Sequence, residues 1–174
     1  MKHTKKLTLS ALFLALGLVM PFLTMQIPEI GNMMLPMHIP VLICGFVCGW
    51  KYGLLIGCIT PILRSMVFGM PYMMPTAVAM AFELATYGAM AGLLYVIFKK
   101  TKIGTYLSLL GAMITGRIIW GIVSVGIYKA MGMVFSWELF IGGALLQAIP
   151  GIVLQLVVIP PIIILLKKNN LIEE

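Results

Sequence analysis

The sequence predicts an all-α integral membrane protein, a bundle of about six transmembrane helices with both termini on the cytoplasmic side. Three observations support this prediction. First, 61% of the 174 residues are apolar, 10% are charged and the mean hydropathy is +1.10, whereas soluble domains contain about 25% charged residues. Second, several apolar stretches are long enough to cross about 30 Å of hydrocarbon. Third, the basic residues lie almost entirely on one side of the resulting topology.

The first three predicted spans lie in the N-terminal part of the chain. The first follows a basic head, residues 1–6, and is expected to be retained because no Ala-x-Ala-like cleavage site follows it. The second and third are short and are separated only by Lys51, so a tight hairpin is expected. Helices are the expected form of every span, because a chain in lipid must satisfy its own backbone polar groups.

The last three predicted spans are longer. The fourth ends in a lysine cluster at residues 99–102, and the sixth ends before a polar tail that begins at Lys167. Pro150 and the pair Pro160 and Pro161 fall inside the sixth span, and proline within a span predicts a locally broken helix. The six predicted spans are residues 7–24, 35–50, 52–69, 75–98, 103–128 and 137–166, in one transmembrane domain that covers residues 1–174.

The basic residues predict the orientation of the bundle, since Lys and Arg in short loops stay on the cytoplasmic side. With the N-terminus inside, the external loops contain one basic residue, Lys129, and the spans contain two, Arg64 and Arg117. The remaining nine of the twelve lie on the cytoplasmic side: Lys2, Lys5, Lys6, Lys51, Lys99, Lys100, Lys102, Lys167 and Lys168. The net charge of +7 is therefore mostly a cytoplasmic rim, and no nucleic-acid partner is expected.

Several kinds of chemistry are excluded or have no motif to support them. The five acidic residues are all glutamate, so mechanisms that need an aspartate nucleophile, metal ligand or triad member are excluded. The segment from Gly111 to Ile118 has glycines at the spacing of a phosphate-binding loop, but it lacks the Lys and the Ser or Thr. Cys44 and Cys48 have no nearby His or acid, so packing is expected rather than metal binding. We expect no cofactor, no metal site and no enzymatic activity.

Polar residues in the outer half of the spans form the candidate functional site. An ionisable group inside a span costs at least about 2.5–3.5 kcal/mol, so its presence is a functional hypothesis. The helix rise of about 1.5 Å per residue puts five polar groups in the outer half of the bilayer, four of them about 8–16 Å below its surface. These are His38, Arg64, Glu83, Arg117 and Gln147. The inner half is nearly free of such groups, with Gln155, about 27 Å deep, as the main exception.

This distribution predicts a polar pocket that is open to the outside and closed below by apolar packing. Two arginines against one glutamate leave a surplus positive charge, which a bound carboxylate would balance. Asn32, Tyr72 and Trp120 are further candidates for contacts with a ligand, although Trp and Tyr near the membrane surface also serve as anchors. The alternative interpretation is a structural ion pair between the glutamate and one of the arginines.

Several segments of the chain resemble one family of membrane proteins. The first span contains Ala11-Leu-Phe-Leu-Ala15. The later segments with this resemblance are residues 35–40, 45–50, 60–64, 68–71 and 80–85. Together with the length and the six spans, they resemble the substrate-binding S components of energy-coupling factor (ECF) vitamin transporters, in the branch that includes pantothenate and folate S components. The resemblance covers nearly the whole chain.

The resemblance implies a function and partners in a bacterial-type plasma membrane. An S component captures a vitamin from outside and docks onto a transmembrane T component that carries two ATPases. Ala11 and Ala15 would form the docking surface. Pantothenate is the leading substrate, because its carboxylate suits Arg64 or Arg117 and its hydroxyls and amide suit neighbours such as Glu83.

Alternatives remain open at this point. The chain could be an S component for another vitamin such as folate. A stand-alone secondary transporter of a small anionic metabolite would normally show an internal repeat, and none is apparent. An intramembrane enzyme would have only His38, Glu83 and Cys44 as candidate groups, and no reaction follows from them.

Overall fold

The computed structural model describes residues 3–24, 34–101, 103–133, 136, 142 and 148–169. In this part of the chain the regular structure is helical and contains no strand. The α-helices are α1 (His3–Val19), α2 (His38–Cys48), α3 (Trp50–Phe68), α4 (Val78–Phe98), α5 (Gly104–Ala130) and α6 (Ile149–Lys168). A 3₁₀ turn, Met20–Thr24, continues α1, and a π turn, Met73–Ala77, leads into α4. The predicted all-α bundle is confirmed.

Among the described residues, five helical segments are long and apolar enough to cross a membrane, and they correspond to five of the predicted spans. They are His3–Leu23, Trp50–Phe68, Met73–Phe98, Gly104–Ala130 and Ile149–Lys168. The sixth segment begins as a helix at Ile149, and most of the predicted start of that span, residues 137–141 and 143–147, lies outside the described residues.

The second predicted span, residues 35–50, differs from the structure in length. Its helix, α2, has 11 residues and therefore extends only about 16 Å, too short to cross the hydrocarbon alone. Every residue of α2 is buried, because α1, α3, α4 and α6 pack around it. Gly49, at φ +95°, ends α2 and starts α3, which gives the expected tight hairpin. This segment is an internal helix of the bundle.

Glycines allow the close approach of α3 and α4. A Cβ atom on Gly53 would overlap the carbonyl of Gly88, and one on Gly57 would overlap the carbonyl of Leu84. Small residues at four-residue spacing serve this purpose in membrane helices, because they let two backbones touch. These contacts make α4 central to the bundle, where it packs against α2, α3 and α5.

One face of α1 packs on α2 and α3, and the opposite face is open. Ser10 and Gly17 are buried, and the Gly17 backbone lies against the methyl group of Thr60. Ala11 and Ala15, the small residues of the first span, are exposed on the other side. Apart from Lys129, in the last turn of α5 at the opposite end, the described lysines lie at one end of the bundle, next to the starts of α1 and α3 and the ends of α4 and α6. The positive-inside rule assigns this end to the cytoplasm.

Candidate functional site

Four helices carry a polar residue to a similar height above the cytoplasmic end. With a rise of about 1.5 Å per residue, His38 lies about 15 Å above Cys48, and Glu83 about 24 Å above Lys99. On the same scale Arg117 lies about 21 Å above Ile103, and Gln155 about 18 Å above Lys167. Helices that run in opposite directions therefore bring these groups into one layer, which we call the polar layer.

Glu83 is the centre of the polar layer. Its side chain is 2% exposed, and its Oε1 lies 3.0 Å from Nη1 of Arg117 on α5. Nε2 of His38, on α2, lies 3.6 Å from the same oxygen. Oε1 has no hydrogen bond of good geometry despite these contacts. Three helices are thus joined at one carboxylate.

Tyr87, one turn after Glu83 on α4, completes this cluster. Its ring packs edge-on against the His38 imidazole, with centroids 5.2 Å apart at 64°. The ring also lies against Gly116, where a Cβ atom would come within 2.6 Å of two ring carbons. Tyr87 also interacts with the charges of Glu83 and Arg117. Tyr87 was not among the predicted site residues, although its spacing of four residues from Glu83 on a helix was a usable signal.

Within the described part of the chain, several buried hydrogen-bond donors of the polar layer have no partner. Arg117 uses Nη1 for Glu83, while its Nε and Nη2 have none. Both ring nitrogens of His38 and Nε2 of Gln155 are also buried without a hydrogen bond. An unsatisfied buried polar group costs about 1–3 kcal/mol, so such groups are normally paired. The Nε and Nη2 edge of a guanidinium is a fork that fits the two oxygens of a carboxylate.

Arg64 lies in a different environment, although it is also buried, at 2% exposure. Its Nη1 donates a hydrogen bond to the carbonyl oxygen of Leu18, in the last turn of α1. Its guanidinium lies over the rings of Phe22 and Phe68, 5.1 Å and 5.2 Å from their centroids. Of the two candidate arginines, the one paired with Glu83 is therefore Arg117.

This placement changes the charge balance expected for the site. The sequence predicts one pocket with two arginines against one glutamate, but the Arg64 guanidinium bonds to α1 and lies over two aromatic rings. Within the polar layer Arg117 and Glu83 balance each other, so a surplus charge does not call for an anion there. The observation that indicates a ligand is instead the set of unpaired donors in the polar layer.

The remaining predicted site residues occupy various positions. Trp120 is half-buried on α5, one turn beyond Arg117 toward the outside, and Tyr72 is 69% exposed just before the π turn. Asn32 and Gln147 lie outside the described residues. Gln155 was placed about 27 Å deep because its helix was assumed to start at residue 137. Since α6 starts at Ile149, Gln155 is only about 9 Å from the outer end of that helix.

Comparison with known proteins identifies the family. The family described as "ECF transporter, substrate-specific component" matches residues 5–163. The chain belongs to this family. No curated protein and no solved structure matches it significantly. The S component is a multi-pass protein of the plasma membrane and the substrate-binding subunit of its transporter. It works with a T component and ATPases, and its role is transport rather than catalysis.

Proposed function

We propose that this S component captures a small acidic micronutrient in the polar layer, with pantothenate as the leading candidate. The observation that carries the proposal is the unpaired Nε and Nη2 edge of Arg117, buried beside Glu83. The two donors of this fork lie in one plane and match a carboxylate better than a single acceptor.

Glu83 has a double task in this proposal. Its contact with Nη1 fixes the guanidinium and leaves the fork free to bind the substrate. Its carboxylate also accepts hydrogen bonds from substrate hydroxyls. His38, with two unpaired ring nitrogens, supplies one donor and one acceptor in its neutral form. Pantothenate carries one carboxylate, two hydroxyls and an amide, and this set of groups suits these partners.

Further contacts are proposed closer to the outside. Trp120 follows Arg117 by one turn toward the external end of α5 and offers a ring for apolar contact with the substrate. Asn32, Tyr72 and Gln147 remain proposed contacts at the entrance. Ala11 and Ala15 are proposed as the docking surface for the T component, which agrees with their exposure on α1.

Two measurements test the proposal. Mass spectrometry of the protein purified in detergent identifies any small molecule that copurifies, and we expect an acid. Calorimetric titration with pantothenate then compares the wild type with Arg117→Lys, which keeps the charge but loses the fork. We expect affinity to fall about 100-fold, since a bidentate charged contact contributes about 2–3 kcal/mol. Lys129→Ala is the matched control, because it removes an exposed charge from the same helix.

The outcomes separate the parts of the proposal. Copurification of folate instead of pantothenate would keep the acid and change the vitamin. A bound molecule without an acidic group would contradict the assignment of the fork to a carboxylate. Equal affinity in the wild type and in Arg117→Lys would remove Arg117 from the site.

A further inference from the structure

The buried face of α6 carries one polar side chain. Helix α6 is described in full, and its buried residues are Gly151, Gln155, Ile159, Pro160 and Ile163. Four of them follow at four-residue spacing and form one row along the helix. Gln155 is 1% exposed, and Ile159 and Ile163, below it in the row, are 0% exposed.

Gln155 lies at the point in the row where the polar part of this helix face ends. One turn toward the outside, Gly151 contributes no side chain, and one turn toward the cytoplasm the row becomes apolar. The amide therefore forms the lowest polar point on this face. Helix α6 packs against α2 and α5, the helices that carry His38 and Arg117. Packed helices lie about 8–10 Å apart, so one small molecule can reach groups on all three.

The Nε2 group of Gln155 has no hydrogen-bond partner among the residues that the structure describes. This group is buried, and leaving a buried donor unsatisfied is costly. A leucine at this position would fill a similar volume without that cost. Packing alone therefore does not explain a glutamine in this otherwise apolar row.

We propose that Gln155 is a substrate-binding residue whose Nε2 donates a hydrogen bond to a second acceptor oxygen of the substrate. This inference rests on the proposed function, because it takes the carboxylate to be held by Arg117. It restricts the substrate class further. The captured molecule is an acid that also carries a carbonyl or hydroxyl oxygen separate from its carboxylate.

Thermal unfolding in detergent provides the test. The probes are pantothenate, biotin and folate, each of which carries a carboxylate and a separate carbonyl, and pantothenol, in which an alcohol replaces the carboxylate of pantothenate. The variants are Gln155→Leu and Arg117→Lys, with Val157→Ala as a control at an exposed position of the same helix. Affinities are taken from the dependence of Tm on the concentration of whichever acid stabilises the wild type.

We expect Gln155→Leu to unfold at the wild-type Tm or above it without a probe, since it removes an unsatisfied polar group. Its affinity for the stabilising acid should fall about 10-fold, as one neutral hydrogen bond is lost. When that acid is pantothenate, Gln155→Leu should weaken pantothenol by a similar factor, whereas Arg117→Lys should weaken pantothenate far more than pantothenol.

Three results would overturn the inference. A lower Tm of Gln155→Leu without a probe, together with unchanged affinity, would make Gln155 a structural residue. Loss of affinity for pantothenate but not for pantothenol in Gln155→Leu would place the amide at the carboxylate. If none of the three acids raised the Tm of the wild type, the proposed function would fail and the inference with it. In the first two cases the binding of an acid by the wild type would still support the proposed function.

Discussion

The two arginines within the spans have different surroundings, and we expect them to have different roles. Arg117 shares one carboxylate with His38 and keeps two donors unpaired. The guanidinium of Arg64 donates a hydrogen bond to a carbonyl in the last turn of α1 and lies over two aromatic rings. The hydrogen bonds of Arg117 are incomplete until a ligand with an acceptor group binds. The contacts of Arg64 are formed within the protein, and they connect the outer ends of α1 and α3.

The ion pair of Glu83 gives a prediction that separates stability from binding. Glu83→Gln should lower the free energy of unfolding by about 3–5 kcal/mol, because it leaves the buried Arg117 charge without its partner. Adding Arg117→Met should recover much of that loss, since no buried charge remains. Chemical unfolding in detergent measures the first effect, and titration with pantothenate measures binding by the double variant. Recovered stability with wild-type binding would show that the pair has only a structural role.

Arg64 should behave in the opposite way. Arg64→Ala removes a charged hydrogen bond and two ring contacts, so we expect a loss of about 2–3 kcal/mol in unfolding free energy. The affinity of the folded fraction for pantothenate should change little. Thermal unfolding and titration on the same sample measure both quantities, with Lys129→Ala as the charge control. A variant with the wild-type Tm but without binding would return Arg64 to the binding site, for which the sequence offers it as one of two candidate arginines.

The depth of the polar residues within the membrane could be predicted from the sequence, but the residues that they contact could not. Counting along a helix placed His38, Glu83 and Arg117 in the outer half, and the structure joins them. The choice between Arg64 and Arg117 depends on which helix faces which neighbour, and a count of residues contains no such information. Gln155 was left out of the predicted site for a different reason: its depth was counted from residue 137, whereas the described helix α6 begins at Ile149, twelve residues or about 18 Å further along.

At the scale of helices, α3 and α4 depend on glycine for their contact. Gly57→Ala should lower the unfolding free energy by about 1–3 kcal/mol or more, because the new Cβ atom would overlap backbone atoms of Leu84 that cannot move freely. Gly126→Ala is the matched control, since nothing lies within 4 Å of a Cβ there. Alanine at that position should be neutral or stabilise α5 by up to about 1 kcal/mol. Similar thermal shifts for both variants would contradict the close approach of α3 and α4.

The exposed face of α1 gives a prediction about coupling to the transporter. Ala11→Trp should leave pantothenate binding intact, because Ala11 points away from α2 and α3. It should abolish uptake in cells if this face docks on the T component. Val96→Trp is the control, since Val96 is an exposed apolar residue in the cytoplasmic half of α4. Normal uptake by Ala11→Trp, with normal expression, would refute the docking surface. Lost binding would instead show that the variant disturbs the bundle.

For the whole molecule, the distribution of polarity predicts a protein that binds but does not pump. The polar layer lies toward the external end, and below it α6 presents Ile159 and Ile163 while α2 is buried along its full length. A substrate in the polar layer thus has an apolar barrier between it and the cytoplasm. Crossing that barrier needs a source of energy, and the protein's own candidate motif for ATP lacks the required Lys and Ser or Thr.

Reconstitution tests this division of labour. Liposomes with the S component alone should bind radiolabelled pantothenate up to one molecule per protein and should not accumulate it above the outside concentration. Addition of a T component and two ATPases, with ATP inside, should produce accumulation that stops when a non-hydrolysable ATP analogue replaces ATP.

Arg117→Lys should lower both binding and accumulation, whereas Ala11→Trp should lower accumulation alone. Accumulation by the S component alone, driven by an ion gradient, would identify a stand-alone secondary transporter and contradict the energy-coupled mechanism. Because binding is measured in the same vesicles, an inactive complex would still report whether the polar layer is intact.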